Sequence, residues 1–222
     1  MKVISFDLDG TLVDQEFNDL VWYHGIPELY SKKHDISLER ARELVSGEYH
    51  KLGDQAVEWY DIKYWFRNFG LEGSYLELMN RFRDRVRVYP EVMDVLERLK
   101  EEYDLILTSN AAREFIAVEV GATGLEGYFT RVFSATSDFG QVKKTPEFYA
   151  EICKAVDISP QRMVHVGDHW EFDYLAPREI GITAFYLGRS GKKEGNFVLR
   201  DLRELEVRLN HIPELSTNGG EL

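Results

Sequence analysis

Four short apolar runs, each ending abruptly in polar chemistry, constrain the fold of this chain more than any other feature. They are Val3-Ile4-Ser5-Phe6 before Asp7, Leu105-Ile106-Leu107 before Thr108-Ser109-Asn110, Met163-Val164-His165-Val166 before Gly167-Asp168, and Ile182-Thr183-Ala184-Phe185-Tyr186-Leu187 before Gly188-Arg189. Short β-branched and aromatic runs bounded by turn residues read as buried strands. Between them, Val92, Val95, Leu96 and Leu99, then Phe148, Ile152, Ala155 and Val156, recur at helical spacing. Strands alternating with amphipathic helices predict an α/β fold: a Rossmann-like parallel sheet flanked by helices. Open sheets of this kind bind ligands beyond the carboxyl ends of their strands, so the polar groups after each run can converge on one crevice.

Residues 15–88 follow a different pattern. Segments 17–25, 38–49 and 54–69 place apolar residues at three- and four-residue steps, and Trp22, Trp59 and Trp65 all fall here. This reads as an inserted all-helical domain that leaves after the first strand and returns at Tyr89-Pro90. The expected organisation is a discontinuous core of residues 1–14 and 89–210, a helical cap of residues 15–88, and a C-terminal tail of residues 211–222. The insertion is nearly balanced, with 11 Lys/Arg against 13 Asp/Glu, so most of the net charge of -12 lies outside it. That acidity argues against a sequence-independent nucleic-acid binder, which needs a basic stripe. No apolar run reaches the roughly 18 residues of a membrane span, so a cytoplasmic protein with no membrane partner is expected, as monomer or homodimer. The single cysteine, Cys153, reads as a buried structural thiol.

The chemistry concentrates in Asp7-Leu8-Asp9-Gly10-Thr11. Two carboxylates at a strand end are costly unless solvated, hydrogen-bonded or metal-bound. Residues i and i+2 of an extended chain point the same way, so Asp7 and Asp9 can face one substrate. This segment resembles the first motif of the haloacid dehalogenase-like hydrolases. Thr108-Ser109-Asn110 resembles their second motif, Gly140-Gln141-Val142-Lys143-Lys144-Thr145-Pro146 their lysine loop, and Gly167-Asp168-His169-Trp170-Glu171-Phe172-Asp173 their fourth motif, in the family's order.

The resemblance implies an Mg²⁺-dependent phosphatase acting on a small phosphorylated metabolite. Asp7 would attack phosphorus to form an aspartyl-phosphate, and Asp9 would serve as acid and base. Mg²⁺ would be held by Asp7, the Asp9 carbonyl and Asp168, with Asp173 bound through water or acting as an orienter. The ordinary alternative for Asp173 is a first-turn helix acid. Ser109 and Asn110 would grip phosphate; otherwise they cap a helix. Lys143 follows Gly140 at the family spacing and is preferred as the active-site lysine. Lys144 stands where the family usually has proline, and reads as an exposed loop charge. His165 reads as a satisfied core histidine, and the loop from Gly188 to Lys193 as solvated.

Within the resemblance, Asp9 separates branches, because dehalogenases lack an aspartate there. The same motifs serve phosphosugar mutases, and phosphonate hydrolases add a cap lysine. Outside catalysis, the alternative is a phosphometabolite-binding module.

Overall fold

In a computed structural model that describes residues 2–211, the strands form one six-stranded, wholly parallel sheet. They are β1 (Val3–Phe6), β2 (Asp104–Ser109), β3 (Arg131–Ser134), β4 (Met163–Gly167), β5 (Thr183–Leu187) and β6 (Val198–Leu199), in spatial order β3-β2-β1-β4-β5-β6. The central β1 and β4 are buried at every position, as strands covered by helices on both faces must be. The order of strand addition reverses at β1, between β2 and β4, which makes this a switch point with its crevice at the carboxyl ends.

All four apolar runs form strands. Two strands have no counterpart among them. Arg131–Ser134 is an edge strand with one buried residue, and Val198–Leu199 is two residues long, so neither carries a legible period. The helices Val92–Leu99 and Pro146–Ala155 occupy the expected segments. The buried face of the second is Phe148, Tyr149, Ile152 and Cys153, whereas Ala155 is exposed. Burial pushes the Cys153 thiol up to about 11, which leaves it an inert packing group.

Between β1 and β2, every regular element from Glu16 to Arg85 is helical. The two connections to the sheet run side by side: Asp14 N donates to Arg87 O at 3.0 Å and Tyr89 N to Leu12 O at 3.1 Å. Aromatic packing fills the insertion. Trp65 stacks on Phe69 at 5.2 Å and meets Tyr49 edge-on at 4.6 Å. Contact with the sheet side is also aromatic, with Trp22 stacked on Phe115 at 5.1 Å.

Residues 212–222, most of the expected tail, lie outside the described residues. Among the described residues, no helix is long and apolar enough to cross a membrane.

Candidate active site

β1 delivers Asp7 directly from the sheet. Its amide donates to Val166 O on β4 at 2.9 Å, so the backbone is still paired where the carboxylate begins. The Asp7 side chain is buried, with Thr11 Oγ1 donating to Oδ2 at 3.2 Å. Lys144 Nζ donates to Asp7 Oδ1 at 2.5 Å, to Thr108 O at 3.4 Å, and to Asp173 Oδ1.

Lys144 is only 1% exposed, which places it, and not Lys143, beside Asp7. This corrects the preference for Lys143, whose ammonium lies 4.9 Å from the Phe172 ring centroid instead. Thr145 caps the helix Pro146–Ala155 by accepting from Phe148 N at 3.3 Å, and the buried carboxylates of Asp7 and Asp173 draw the ammonium of the residue before it inward.

Asp173 is wholly enclosed by donors. Beyond Lys144, its Oδ1 meets His165 Nε2 at 3.0 Å, and its Oδ2 accepts from His169 N at 3.0 Å. His165 Nδ1 lies 2.9 Å from Ser5 Oγ, which lies 2.8 Å from Thr108 Oγ1. Burial lowers the proton affinity of His165. A neutral ring that donates from Nε2 then accepts from Ser5 at Nδ1, and both nitrogens are satisfied. The resulting chain crosses three strands and anchors Asp173 beneath Lys144.

Two glycines are dictated by these carboxylates. A Cβ on Gly10, which has φ +79°, would sit 2.2 Å from Asp168 Oδ2, and a Cβ on Gly167 would sit 2.3 Å from Asp173 Cγ. Only glycine lets the carboxyl groups approach the backbone this closely.

Ser109 Oγ accepts from Ala111 N at 3.0 Å, so its hydroxyl shapes the turn after β2. The Asn110 Oδ1 is buried without a hydrogen-bond partner. The Asp9 carboxyl faces Asn18 and Glu119. Neither of those was singled out from sequence. Glu119 offered a signal, since it interrupts the apolar run Phe115-Ile116-Ala117-Val118 on the buried face of its helix. Asn18 offered none.

The loop after β5 is less solvated than expected. Arg189 donates to Thr11 O at 2.9 Å, pairs with Glu91 at 2.6 Å and lies 3.6 Å from the Tyr89 ring centroid, tying this loop to the one that carries Asp9. His169 accepts from Phe172 N at 3.3 Å as a helix cap, and Trp170 packs on Tyr174 and Tyr186.

The electrostatics are one-sided. Asp7, Asp9, Asp168 and Asp173 gather around the ammonium of Lys144, and Glu119 lies against Asp9. Burial pushes Asp7 well above the usual carboxylate range and brings Asp9 and Asp168 to about 6. Asp173 behaves oppositely: burial opposes its charge, but Lys144 and His165 hold it below its ordinary range. Burial likewise opposes the charge on Lys144, and Asp173 and Asp7 overcome it.

Ligand oxygens of Asp7, Asp168 and Asp173 lie within 4.8 Å of one another. A donor set made only of oxygens, carrying surplus negative charge, suits a small hard dication such as Mg²⁺. Asp7 and Asp168 are the better-placed ligands, because donors already occupy both oxygens of Asp173.

A cavity of about 260 Å³ opens beside Asp9. Trp22, Tyr23, Trp59, Asn110 and Phe115 line it, together with Asp19. No lysine or arginine does so among the described residues. A separate hollow of about 360 Å³ includes Lys63 and Arg113, but these are paired with Glu114 and Asp138. None of the carboxylates around Lys144 lines that hollow, whereas Asp9 lines the smaller cavity.

A family model described as haloacid dehalogenase-like hydrolase matches residues 1–181. The GMP/IMP nucleotidase YrfG of Escherichia coli is 26% identical over 169 residues, covering 76% of this chain and 74% of that protein. A phosphoglycolate phosphatase of Vibrio vulnificus is 28% identical over 206 residues, covering 84% and 83%. Among solved structures, a HAD phosphatase from Thermococcus onnurineus superposes with a TM-score of 0.81 at 28% identity, covering 93% of this chain and 97% of that one.

Proposed function

The chain belongs to the haloacid dehalogenase-like hydrolase family, and from that premise we propose that it hydrolyses a phosphate monoester with Asp7 as the nucleophile. The observation that carries this reading is the buried Lys144 ammonium held between Asp7 and Asp173 beneath the switch-point crevice. A carboxylate and a phosphate repel each other, and a positioned cation beside the carboxylate offsets that repulsion as they meet.

Asp7 attacks phosphorus, the bond to the leaving oxygen breaks, and an aspartyl-phosphate results. Asp9 gives the leaving oxygen its proton, then takes one from the water that hydrolyses the acyl phosphate. Lys144 holds Asp7 in line and stabilises charge on the transferring oxygens. Asp173 positions Lys144, and the turn of Ser109 and Asn110 binds phosphate oxygens. Asp7, Asp168 and the Asp9 carbonyl would hold Mg²⁺, which when bound supplies charge neutralisation for the phosphate. The helical insertion of residues 15–88 serves as a cap that excludes water from the crevice.

The cavity beside Asp9 supports a substrate whose leaving group is flat and uncharged, such as a nucleoside. Aromatic walls offer stacking surface, and Asp19, in a lining without lysine or arginine, repels a second anion. This favours nucleoside monophosphates, the substrate class in the name of the E. coli relative, over the carboxylate-bearing phosphoglycolate in that of the Vibrio relative.

The test is hydrolysis of p-nitrophenyl phosphate with Mg²⁺ and with chelator, followed by a comparison of nucleoside monophosphates with phosphoglycolate. Activity should require the metal and vanish in Asp7→Asn. Metal-independent turnover, or an active Asp7→Asn, overturns the mechanism; a preference for phosphoglycolate overturns only the substrate.

A further inference from the structure

The surroundings of Asp9 contain a buried carboxyl group that the proposed reaction does not use. Glu119, in the helix Arg113–Thr123, has no exposed surface. Its carboxyl lies against that of Asp9, and its Oε1 accepts from Asn18 Nδ2 at 3.2 Å. The same Asn18 amide nitrogen donates to Asp9 Oδ1. Among the described residues, no lysine or arginine forms an ion pair with Glu119. Asn18 Oδ1 and Glu119 Oε2 are buried without a hydrogen-bond donor.

Burying an acid without a cation, and leaving two acceptors unmet, is a poor way to stabilise a fold. An apolar residue would pack between Phe115 and Thr123 at lower cost. The arrangement does restrict one coordinate. The terminal torsion of an aspartate is broad, so a free Asp9 carboxyl would sample many orientations. With Oδ1 engaged by the Asn18 amide, and that amide held in turn by Glu119, Oδ2 keeps a single direction.

We propose that Asn18 and Glu119 are positioning residues that clamp the Asp9 carboxyl in the orientation needed for proton transfer to the leaving oxygen. The clamp joins three segments: Asp9 follows β1, Asn18 lies in the first helix of the insertion, and Glu119 lies in the helix after β2. The inference rests on the acid role proposed for Asp9. Orientation matters most when the departing oxygen is strongly basic, and little when it leaves unaided. Loss of the clamp therefore shows itself as a dependence on the leaving group.

The full chain with Mg²⁺ is assayed on p-nitrophenyl phosphate and on phenyl phosphate, which differ little in shape but greatly in leaving-group basicity. Asn18→Ala and Glu119→Leu should lower kcat/KM on phenyl phosphate, which reports the step that expels the leaving oxygen, about 10-fold, a fraction of the ~100-fold or more that general acid–base catalysis supplies. On p-nitrophenyl phosphate the loss in kcat/KM should stay within about threefold. Glu119→Gln, which keeps the shape and a donor, should restore most of the phenyl phosphate rate. Glu119→Leu should also melt no lower than wild type, because it removes an unsatisfied buried acid. Equal losses on both substrates, or no loss on either, overturn the clamp. Asp9→Asn separates the two levels of the argument. If it responds steeply to the leaving group while the clamp variants do not, the clamp alone is wrong. If Asp9→Asn shows no such response, the acid role of Asp9 falls and the clamp falls with it.

Discussion

The carboxyl ends of β1, β2 and β4 and the helical insertion are both tightly packed, but they are held by different forces. At the strand ends, charge meets charge: Lys144 between Asp7 and Asp173, with His165 and Ser5 completing a buried chain of hydrogen bonds. In the insertion, rings meet rings, as in the contacts of Tyr49, Trp65 and Phe69. Hydrogen bonds and ion pairs are directional, and a buried charge left alone is expensive. Apolar contacts are non-directional and tolerate change of similar volume. The first region can therefore hold one precise chemistry, while the second can vary its surface and keep its fold.

Substitutions can break this comparison, and the largest effect is expected at Lys144. Lys144→Met should reduce turnover of p-nitrophenyl phosphate about 10²–10³-fold, the scale on which one preorganised electrostatic contact acts. Lys143→Ala should stay within about threefold in the same assay. A reversal of the two would undo the placement described here. In the insertion, Trp65→Ala removes a side chain 1% exposed and should cost about 3–5 kcal/mol in denaturant unfolding. Its folded fraction should still turn over p-nitrophenyl phosphate within about threefold. A selective collapse of kcat with unchanged stability would show that the two regions are not separable. Asp9→Asn should turn over at least ~100-fold slower while still binding inorganic phosphate and Mg²⁺ in calorimetry.

The smallest effect is on the pH dependence of stability without metal. Asp9 and Asp168 sit at about 6 in the folded chain, above the ordinary carboxylate value. A raised carboxyl contributes stability that is complete below its unfolded pKa and is lost as pH rises through the folded one. Metal-free protein should therefore lose stability between about pH 4 and pH 6, by on the order of 1 kcal/mol after allowing for the partial exposure of both side chains. Asp173 works in the opposite sense: its contribution is present above the ordinary carboxylate value and is lost only in stronger acid. Urea unfolding at pH 4, 5, 6 and 7, with chelator and with Mg²⁺, checks the sign. Stability that rises over this range without metal would show that Asp9 and Asp168 do not carry a burial penalty.

Much of this was readable in the chain. The four apolar runs announced the central strands because strands buried on both faces must be apolar throughout. The glycines of Asp9-Gly10 and Gly167-Asp168 read only as turn residues, and the geometry adds that each lets a carboxylate approach the backbone closely. Arg131–Ser134 and Val198–Leu199 were hidden because short edge strands need little burial. Glu119 looked like one charge on an amphipathic helix, and only its neighbours in space make it part of the Asp9 environment.

By itself the amino-acid sequence determined the α/β class, the helical character of residues 15–88, and the location of the carboxylates at strand ends. Each of these depends on local period and turn chemistry, which a linear chain carries in full. The tertiary structure decided which of two adjacent lysines meets Asp7, how fully Asp173 is occupied, and what braces Asp9. Those outcomes depend on the direction of a side chain and on partners more than one hundred residues away, Asp7 and Lys144 being 137 apart. Neighbouring residues can face opposite ways at almost no difference in local energy. The surrounding charges, brought together only by folding, make one of those directions the stable one.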